Sequence, residues 1–317
     1  MESERTPLLS SNLKVKTAWL YHVEGLTQEQ IAEQLQISRV KVMRLLAACV
    51  EEGVVVTTIN RETSEQVALE RALEKRWALK SAIVVPTPSR ESNLESAIGH
   101  AVAEVLDGAM ADGKTLAIGG GATLFASLQF LTRRKLADAS VISLVGSMPY
   151  SGWINPSSVA VRVAEIYGID SYQITAPVLV DDPVLTEALW RQPPLQDVKR
   201  RAAAADIALL TVGGMGPDAT IFRYGLVGPE FLEPLQKQGA VANILSHFID
   251  RQGKLVDHEL NARILAIDLE TVARVPLVVL AAGGAPKVEA IRAAIKSIPP
   301  GILITDTDTA RQLLAMN

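Results

Sequence analysis

The chain holds a single cysteine, Cys49, which excludes an internal disulfide. Its four histidines are scattered, with no spacing that fits a metal centre, so neither a metal nor a cofactor is expected. No stretch approaches the roughly 18 apolar residues of a membrane span, and the start, Met-Glu-Ser-Glu-Arg-Thr-Pro, lacks the apolar core of a signal peptide. The expected place is the cytoplasm. A Walker A sequence is missing, which disfavours an ATP-driven machine, and no period of about 20–50 residues repeats, which excludes a solenoid. Excess positive charge is missing too: 31 Lys and Arg stand against 35 Asp and Glu, so the chain is no bulk polycation.

What is present is the composition of a globular protein with a large core, 48% hydrophobic and 21% charged, at a length of 317 residues that predicts about two domains. The first is read from residues 26–46. Thr27 stands where an N-cap belongs, and Gln30 can reach back to close a capping box. Ile31, Ala32 and Leu35 make the buried stripe of that helix, leaving Glu29, Glu33 and Gln34 to solvent. Ser38 can cap a second helix, whose Val42, Leu45, Leu46 and Cys49 keep the spacing of one apolar face, so Cys49 is a core thiol. At roughly 100° per residue, Val40, Arg44 and Ala47 point away from that face, flanked by Lys41, Met43 and Ala48. A preceding helix, Leu13 to Glu24, offers Val15, Trp19, Leu20 and Val23 as its apolar set. After Gly53, the β-branched run from Val54 to Ile59 reads as a short ribbon.

Three helices and a ribbon predict a winged helix-turn-helix over residues 1–60, its second helix lying in the DNA major groove. The expected DNA contacts are Thr27, Gln28, Ser38, Arg39, Val40, Lys41 and Arg44. Residues 1–60 are not basic overall, yet between Gln34 and Val50 there are three cations and no acid, a local face for phosphates. The plainer alternative is a helical hairpin with a solvated charged face. So small a unit is expected to lean on a partner copy, with two readers per particle.

A polar connector, Arg61 to Gln66, leads into a helix within residues 61–80 on which Leu69, Leu73 and Trp77 align. That stripe either pairs between subunits or joins a domain core. Over residues 81–317, strands are expected at 82–85, 115–118, 141–145, 172–180, 207–212, 277–281 and 302–305, with mixed strands around 241–249 and 263–267. They alternate with helices at 94–106, 124–131, 157–167, 230–238, 287–295 and 309–314. This alternation predicts an α/β body with a doubly wound, mostly parallel sheet.

Glycines gather where these strands end: Gly119-Gly120-Gly121-Ala122-Thr123, Gly146-Ser147, Gly213-Gly214-Met215-Gly216 and Gly283-Gly284. Ligands of open α/β sheets bind at carboxyl strand ends, so four such ends could line one pocket; equally, each could be a tight turn. Gly214 to Ala219 formally fits a dinucleotide fingerprint but lies late in the chain and contains Pro217. Lys287, following Pro286 in the first turn of a helix, is either a point charge for phosphate or sugar hydroxyls or an exposed lysine without a role. Asp257-His258-Glu259 reads as a solvated turn rather than an acid–base cluster.

Together these segments resemble the SorC family of sugar-responsive bacterial transcriptional regulators, over nearly the whole chain. The likeness rests on Glu24-Gly25-Leu26-Thr27-Gln28, Ile31-Ala32, Ser38-Arg39 and Arg44-Leu45-Leu46 in the reader. In the body it rests on the loop from Leu116 to Thr123, on Ala176-Pro177, on the segment from Ala282 to Lys287, and on Ile304-Thr305-Asp306 with Thr309-Ala310. The resemblance implies an effector and oligomerisation domain related to sugar-phosphate isomerases and deaminases, a homotetramer, and a sugar, sugar phosphate or polyol that shifts DNA affinity. It places the effector on Gly119, Gly120, Gly121, Ala122, Thr123, Gly146, Asn243 and Lys287, with Gly121 and Thr123 holding oxygens and Lys287 opposite. Two positions depart from the family pattern. Ala122-Thr123 stands for paired threonines, and Ala242-Asn243-Ile244 replaces Gly-Asp-Ile, so a carboxylate becomes a carboxamide that both donates and accepts, which suits an unphosphorylated polyol. The expected function is a repressor of a carbohydrate or polyol operon and not an enzyme. The alternative is a sugar-phosphate isomerase with an added reader, for which Asp218 is the best base.

Overall fold

The computed structural model describes residues 6–56, 64–90, 93–148 and 155–316. The chain divides into two compact units, Met1–Asn60 and Arg61–Asn317.

The first unit contains α1 (Thr6–His22), α2 (Gln28–Leu35) and α3 (Arg39–Glu51). Thr27 and Gln30 form the expected capping box, with Gln30 N donating to Thr27 Oγ1 at 3.3 Å and Thr27 N donating to Gln30 Oε1 at 2.9 Å. Leu20, Ile31 and Val42, one from each helix, are buried together, with Leu26, Ala32, Leu35, Ile37 and Leu46 packed around them. The apolar set expected on α1 is corrected. Val15, Trp19 and Val23 are 49%, 58% and 61% exposed, while Thr17, Ala18 and Leu20 face inward. The reason is close approach: Cys49 Sγ of α3 donates to Lys14 O at 3.4 Å, which the small Thr17 and Ala18 permit and an indole would prevent. Val54 to Val56 form no strand, and the rest of the expected ribbon lies outside the described residues.

The second unit begins with α4 (Ser64–Trp77) and β1 (Ser81–Val85), followed by α5 (Leu94–Ala109), β2 (Thr115–Ile118) and α6 (Ala122–Ser127). Then come β3 (Ser140–Ser143), α7 (Pro156–Tyr167), β4 (Asp170–Tyr172), α8 (Pro183–Trp190), α9 (Pro193–Ala203), β5 (Ile207–Leu210), β6 (Gly213–Gly214) and α10 (Thr220–Arg223). The chain continues through α11 (Leu232–Lys237), β7 (Ala242–Ile244), β8 (His247–Ile249), α12 (Glu259–Ala262) and α13 (Leu269–Ala273). It finishes with β9 (Leu277–Ala281), α14 (Val288–Ser297), β10 (Ile302–Asp306) and α15 (Thr307–Ala315).

Seven strands form one sheet in the order β1-β10-β9-β5-β2-β3-β4, every neighbouring pair parallel. A second sheet, β6-β7-β8, is antiparallel. Successive residues of one strand enter different cores: Ala208 and Leu210 pack on one side of the large sheet, Ile207 and Leu209 on the other. A strand buried on both faces must be apolar throughout, which is why Ile-Ala-Leu-Leu is legible as a central strand. Helices α5, α6 and α7 cover one face through Ile98, Val102, Leu106, Leu124, Val159 and Val163. The other face is covered by Leu73 of α4, Leu195 and Val198 of α9, Ile291 of α14 and Leu313 of α15. The stripe of Leu69, Leu73 and Trp77 therefore joins the domain core, and Glu70 and Glu74 of the same helix accept from Val84 N and Ala82 N at 2.9 and 3.1 Å.

The strand expected over 172–180 ends at Tyr172. Ile174, Ala176, Val178 and Val180 alternate inward as a strand would, but the segment is held by isolated bridges, Ser147 to Pro177 and Leu179 to Ile264. Pro177 has no N–H to give a ladder. Helices α8 and α9 were not anticipated, although Asp182-Pro183 and Gln192-Pro193 are start signals; Asp182 Oδ1 accepts from Val184 N at 2.8 Å. The expected strand at 263–267 also reduces to bridges.

Candidate functional site

Two places gather the candidate functional residues, one in each unit. In the first, Gln36 takes a left-handed conformation at the end of α2, with φ 52°, and turns the chain into α3. Ser38 Oγ accepts from Lys41 N at 3.2 Å and starts that helix. Val42 and Cys49 face the core, and burial raises the Cys49 thiol above its ordinary value. Arg39, Val40, Lys41, Met43, Arg44 and Ala47 are exposed. Among the described residues Arg39, Lys41 and Arg44 form no ion pair, whereas Lys14 is paired with Glu52. The outer face of α3 is thus a cationic surface with its charges available. Thr27 and Ser38 spend their oxygens on caps, so their part is to set the angle of the two helices.

In the second unit, the carboxyl ends of the central strands enclose a cavity of about 240 Å³. After β2 the chain runs through Gly119, Gly120 and Gly121 into α6, and all three glycines line the cavity with Ala122 and Thr123. Gly121 sits at φ 120°, and a Cβ there would stand 2.9 Å from Thr211 Oγ1. Thr211 in turn donates to Gly120 O at 2.7 Å, so the loop's shape is set by a residue 91 positions later, just after β5. Gly213 pairs with Asn243 across the small sheet, and the Asn243 carboxamide lies over it, Nδ2 donating to Gly214 O at 3.2 Å. A side chain on Gly213 would displace that amide.

The turn from β7 to β8 adds Leu245 and Ser246, both with positive φ, 49° and 66°, as a two-residue hairpin of this hand requires. Neither is glycine or asparagine, so the turn holds backbone strain beside the cavity. From β9, the glycine pair at 283–284 leads into a short 3-10 turn that ends on Lys287, which lines the cavity. Arg223 of α10, Asp218 before it and Glu95 of α5 complete the charged lining, two cations and two carboxylates in all.

The cavity therefore gathers seven of the eight residues expected from sequence: Gly119, Gly120, Gly121, Ala122, Thr123, Asn243 and Lys287. Gly146 is the exception. Its N–H donates to Leu265 O at 2.9 Å, and a Cβ would fall 2.7 Å from Ala176 O, so this glycine is there for backbone packing. Thr211, Arg223, Glu95 and Ser246 were missed. Only Thr211 carried a signal, its place directly after a buried strand. The nucleotide-like segment at 214–219 opens with β6 of an antiparallel pair and leads into a four-residue helix, so it is no strand–helix phosphate loop. His258 Nδ1 accepts from Leu260 N at 3.2 Å and caps α12. Among the described residues no group of His, Cys, Asp or Glu could hold a metal ion, and no helix is long and apolar enough to cross a membrane.

A helix-turn-helix with cations on its outer helix, in one chain with an α/β body that holds a small polar cavity at its strand ends, is the arrangement of a ligand-responsive transcriptional regulator. A family profile described as "Putative sugar-binding domain" matches residues 61–315. The chain is 30% identical to the erythritol catabolism regulatory protein EryD of Brucella abortus (strain 2308), across 96% of each chain. It is 32% identical to the transcriptional regulator LsrR of Klebsiella pneumoniae subsp. pneumoniae, across 98% of this chain and 94% of that one. The crystal structure of the full-length sorbitol operon regulator SorC from Klebsiella pneumoniae superposes with a TM-score of 0.73 at 25% identity, over 96% of this chain and 98% of that one. The chain belongs to the SorC family of sugar-binding transcriptional regulators.

Proposed function

We propose that the protein is a cytoplasmic repressor of a carbohydrate or polyol operon, with residues 1–60 reading DNA and the body that follows binding the effector and joining subunits into a tetramer. Arg39, Val40, Lys41 and Arg44 face the major groove, with Thr27, Gln28 and Ser38 at the helix starts near the phosphates. The effector sits on Gly119 to Thr123, Asn243 and Lys287. The observation that carries this reading is their convergence: three segments far apart in the chain line one cavity of about 240 Å³. That volume lies below the roughly 300–1,000 Å³ of drug-sized sites and suits a small sugar or polyol. Two cations balanced by two carboxylates, and a carboxamide at Asn243, favour a neutral polyhydroxyl compound over a phosphorylated one.

An effector changes DNA affinity only through different affinities for the two states, so the inducer of a repressor must bind the DNA-free form more tightly than the bound one. The test is a gel shift on DNA upstream of the protein's own operon, repeated with erythritol, sorbitol and their monophosphates. Release of the DNA by one compound, lost in Lys287→Ala while operator binding persists, is the expected result. Binding to none of the nearby DNA fragments would overturn the assignment.

A further inference from the structure

We infer that Asp306 is a positioning residue for the effector site, its Oδ2 oxygen and Thr309 Oγ1 together pinning the Gly283–Gly284 backbone from which Lys287 is held against the cavity. This rests on the reading of the cavity as the effector site. Asp306 ends β10 and is 1% exposed. Its two oxygens have separate partners. Oδ1 accepts from Thr87 Oγ1 at 2.9 Å and caps α15 by accepting from Asp308 N at 3.1 Å and Thr309 N at 3.0 Å. Oδ2 turns the other way, across to the loop after β9, accepting from Gly284 N at 2.9 Å and from Thr309 Oγ1 at 2.5 Å. Gly284 N is shared with Thr309 Oγ1, at 2.8 Å.

Gly284 is thereby fixed at both ends, because its carbonyl accepts from Lys287 N at 2.9 Å. Both glycines resist a side chain: Gly284 has a φ of 96°, and a Cβ on Gly283 would stand 2.3 Å from Asp306 Oδ2 and 2.6 Å from Ile98 Cδ1. The carboxylate and the glycine pair are therefore one device. A helix cap alone would not need it, since asparagine caps a helix about as well as aspartate. Two acceptor oxygens facing opposite ways are needed only if the second one holds the loop. In asparagine, with Oδ1 kept at the cap, Nδ2 would meet the Gly284 N–H donor to donor.

The inference is tested on the full-length chain with Asp306→Asn, Thr309→Val and Thr309→Ser, by deuterium uptake at residues 283–287 and by titration with erythritol, sorbitol and their monophosphates. In Asp306→Asn, uptake there should quicken about tenfold, the scale expected when a buried donor loses a charged acceptor, while residues 277–281 of β9 stay protected. Affinity for whichever compound binds the wild type should fall about as much, and operator affinity without effector should hold within about twofold. Thr309→Val should weaken the loop in the same direction, and Thr309→Ser should restore it. If Asp306→Asn does not fold, the contrast between the two Thr309 variants decides. Unchanged uptake at 283–287, or an effector affinity equal to wild type, would overturn the inference. A wild type that binds none of the compounds counts against the effector reading of the cavity, and the uptake result still decides for the loop.

Discussion

Acidification to pH 5 should weaken the second unit through one side chain, His247. It lies in β8, paired with Ile244 beside the turn that brings Leu245 and Ser246 to the cavity, and among the described residues its Nδ1 has no hydrogen-bond partner. Burial lowers its pKa from 6.5 to about 4, with the Asp268 carboxylate offsetting only part of the penalty. The folded protein therefore holds this imidazole neutral at pH 7. The unfolded chain takes up the proton near pH 6.5 and the folded chain only near pH 4, so between these values the unfolded state binds more protons and stability rises with pH. Going from pH 7 to pH 5 removes about 2 kcal/mol, and the full loss is reached below about pH 4. The depressed carboxyl groups of Asp206, Asp268 and Asp306 act below their ordinary value of 3.8, outside this window. Urea unfolding of the wild type and of His247→Gln at pH 7 and pH 5 measures the difference, since glutamine is polar and does not titrate. The wild type should lose about 2 kcal/mol more than the variant over this interval. Equal losses in the two proteins would refute the assignment of the transition to His247.

Gly121→Ala should abolish the effector response while leaving operator binding without effector intact, because φ 120° and Thr211 Oγ1 at 2.9 Å oppose any side chain at that point of the loop. The local penalty is about 1–3 kcal/mol, and effector titration of the variant checks it. Arg44→Ala should weaken operator binding by about 1–3 kcal/mol and relax preference at one base pair, as loss of a bidentate guanine contact would. A gel shift at fixed salt reads this, and an unchanged affinity would count against the outward face assigned to α3.

Much of the fold was legible because its signals are local. Thr27 with Gln30, and Ser38 before Arg39, are hydrogen-bonding patterns within one turn of chain, and each forms as read. The central strands were legible for a different reason: a segment buried on both faces, such as Leu277 to Ala281, has no polar residue to confuse its ends. Where two signals compete, sequence reading fails. Residues 172–180 alternate like a strand, but Pro177 gives no N–H, and among the described residues 173–180 find only isolated bridges instead of a ladder. On α1, Trp19 carries far more apolar surface than Ala18, yet the helix buries the smaller residue because α3 passes close by.

For the functional site the same division holds. The sequence by itself determined which backbones could meet a ligand, since glycine runs at strand ends and a lysine after a Gly-Gly pair are local facts of chain conformation. It also determined which face of α3 turns outward, because helical period alone orients that helix. Tertiary structure decided which side chains complete the cavity and which glycine stays out of it. Arg223, Glu95 and Ser246 come from three elements whose convergence depends on sheet order, and Gly146 is turned to Leu265 and Ala176 by the same packing. Asp306 shows the limit most plainly: its cap on α15 is visible three residues away, whereas its hold on Gly284, 22 residues back, exists only because β10 and β9 lie side by side.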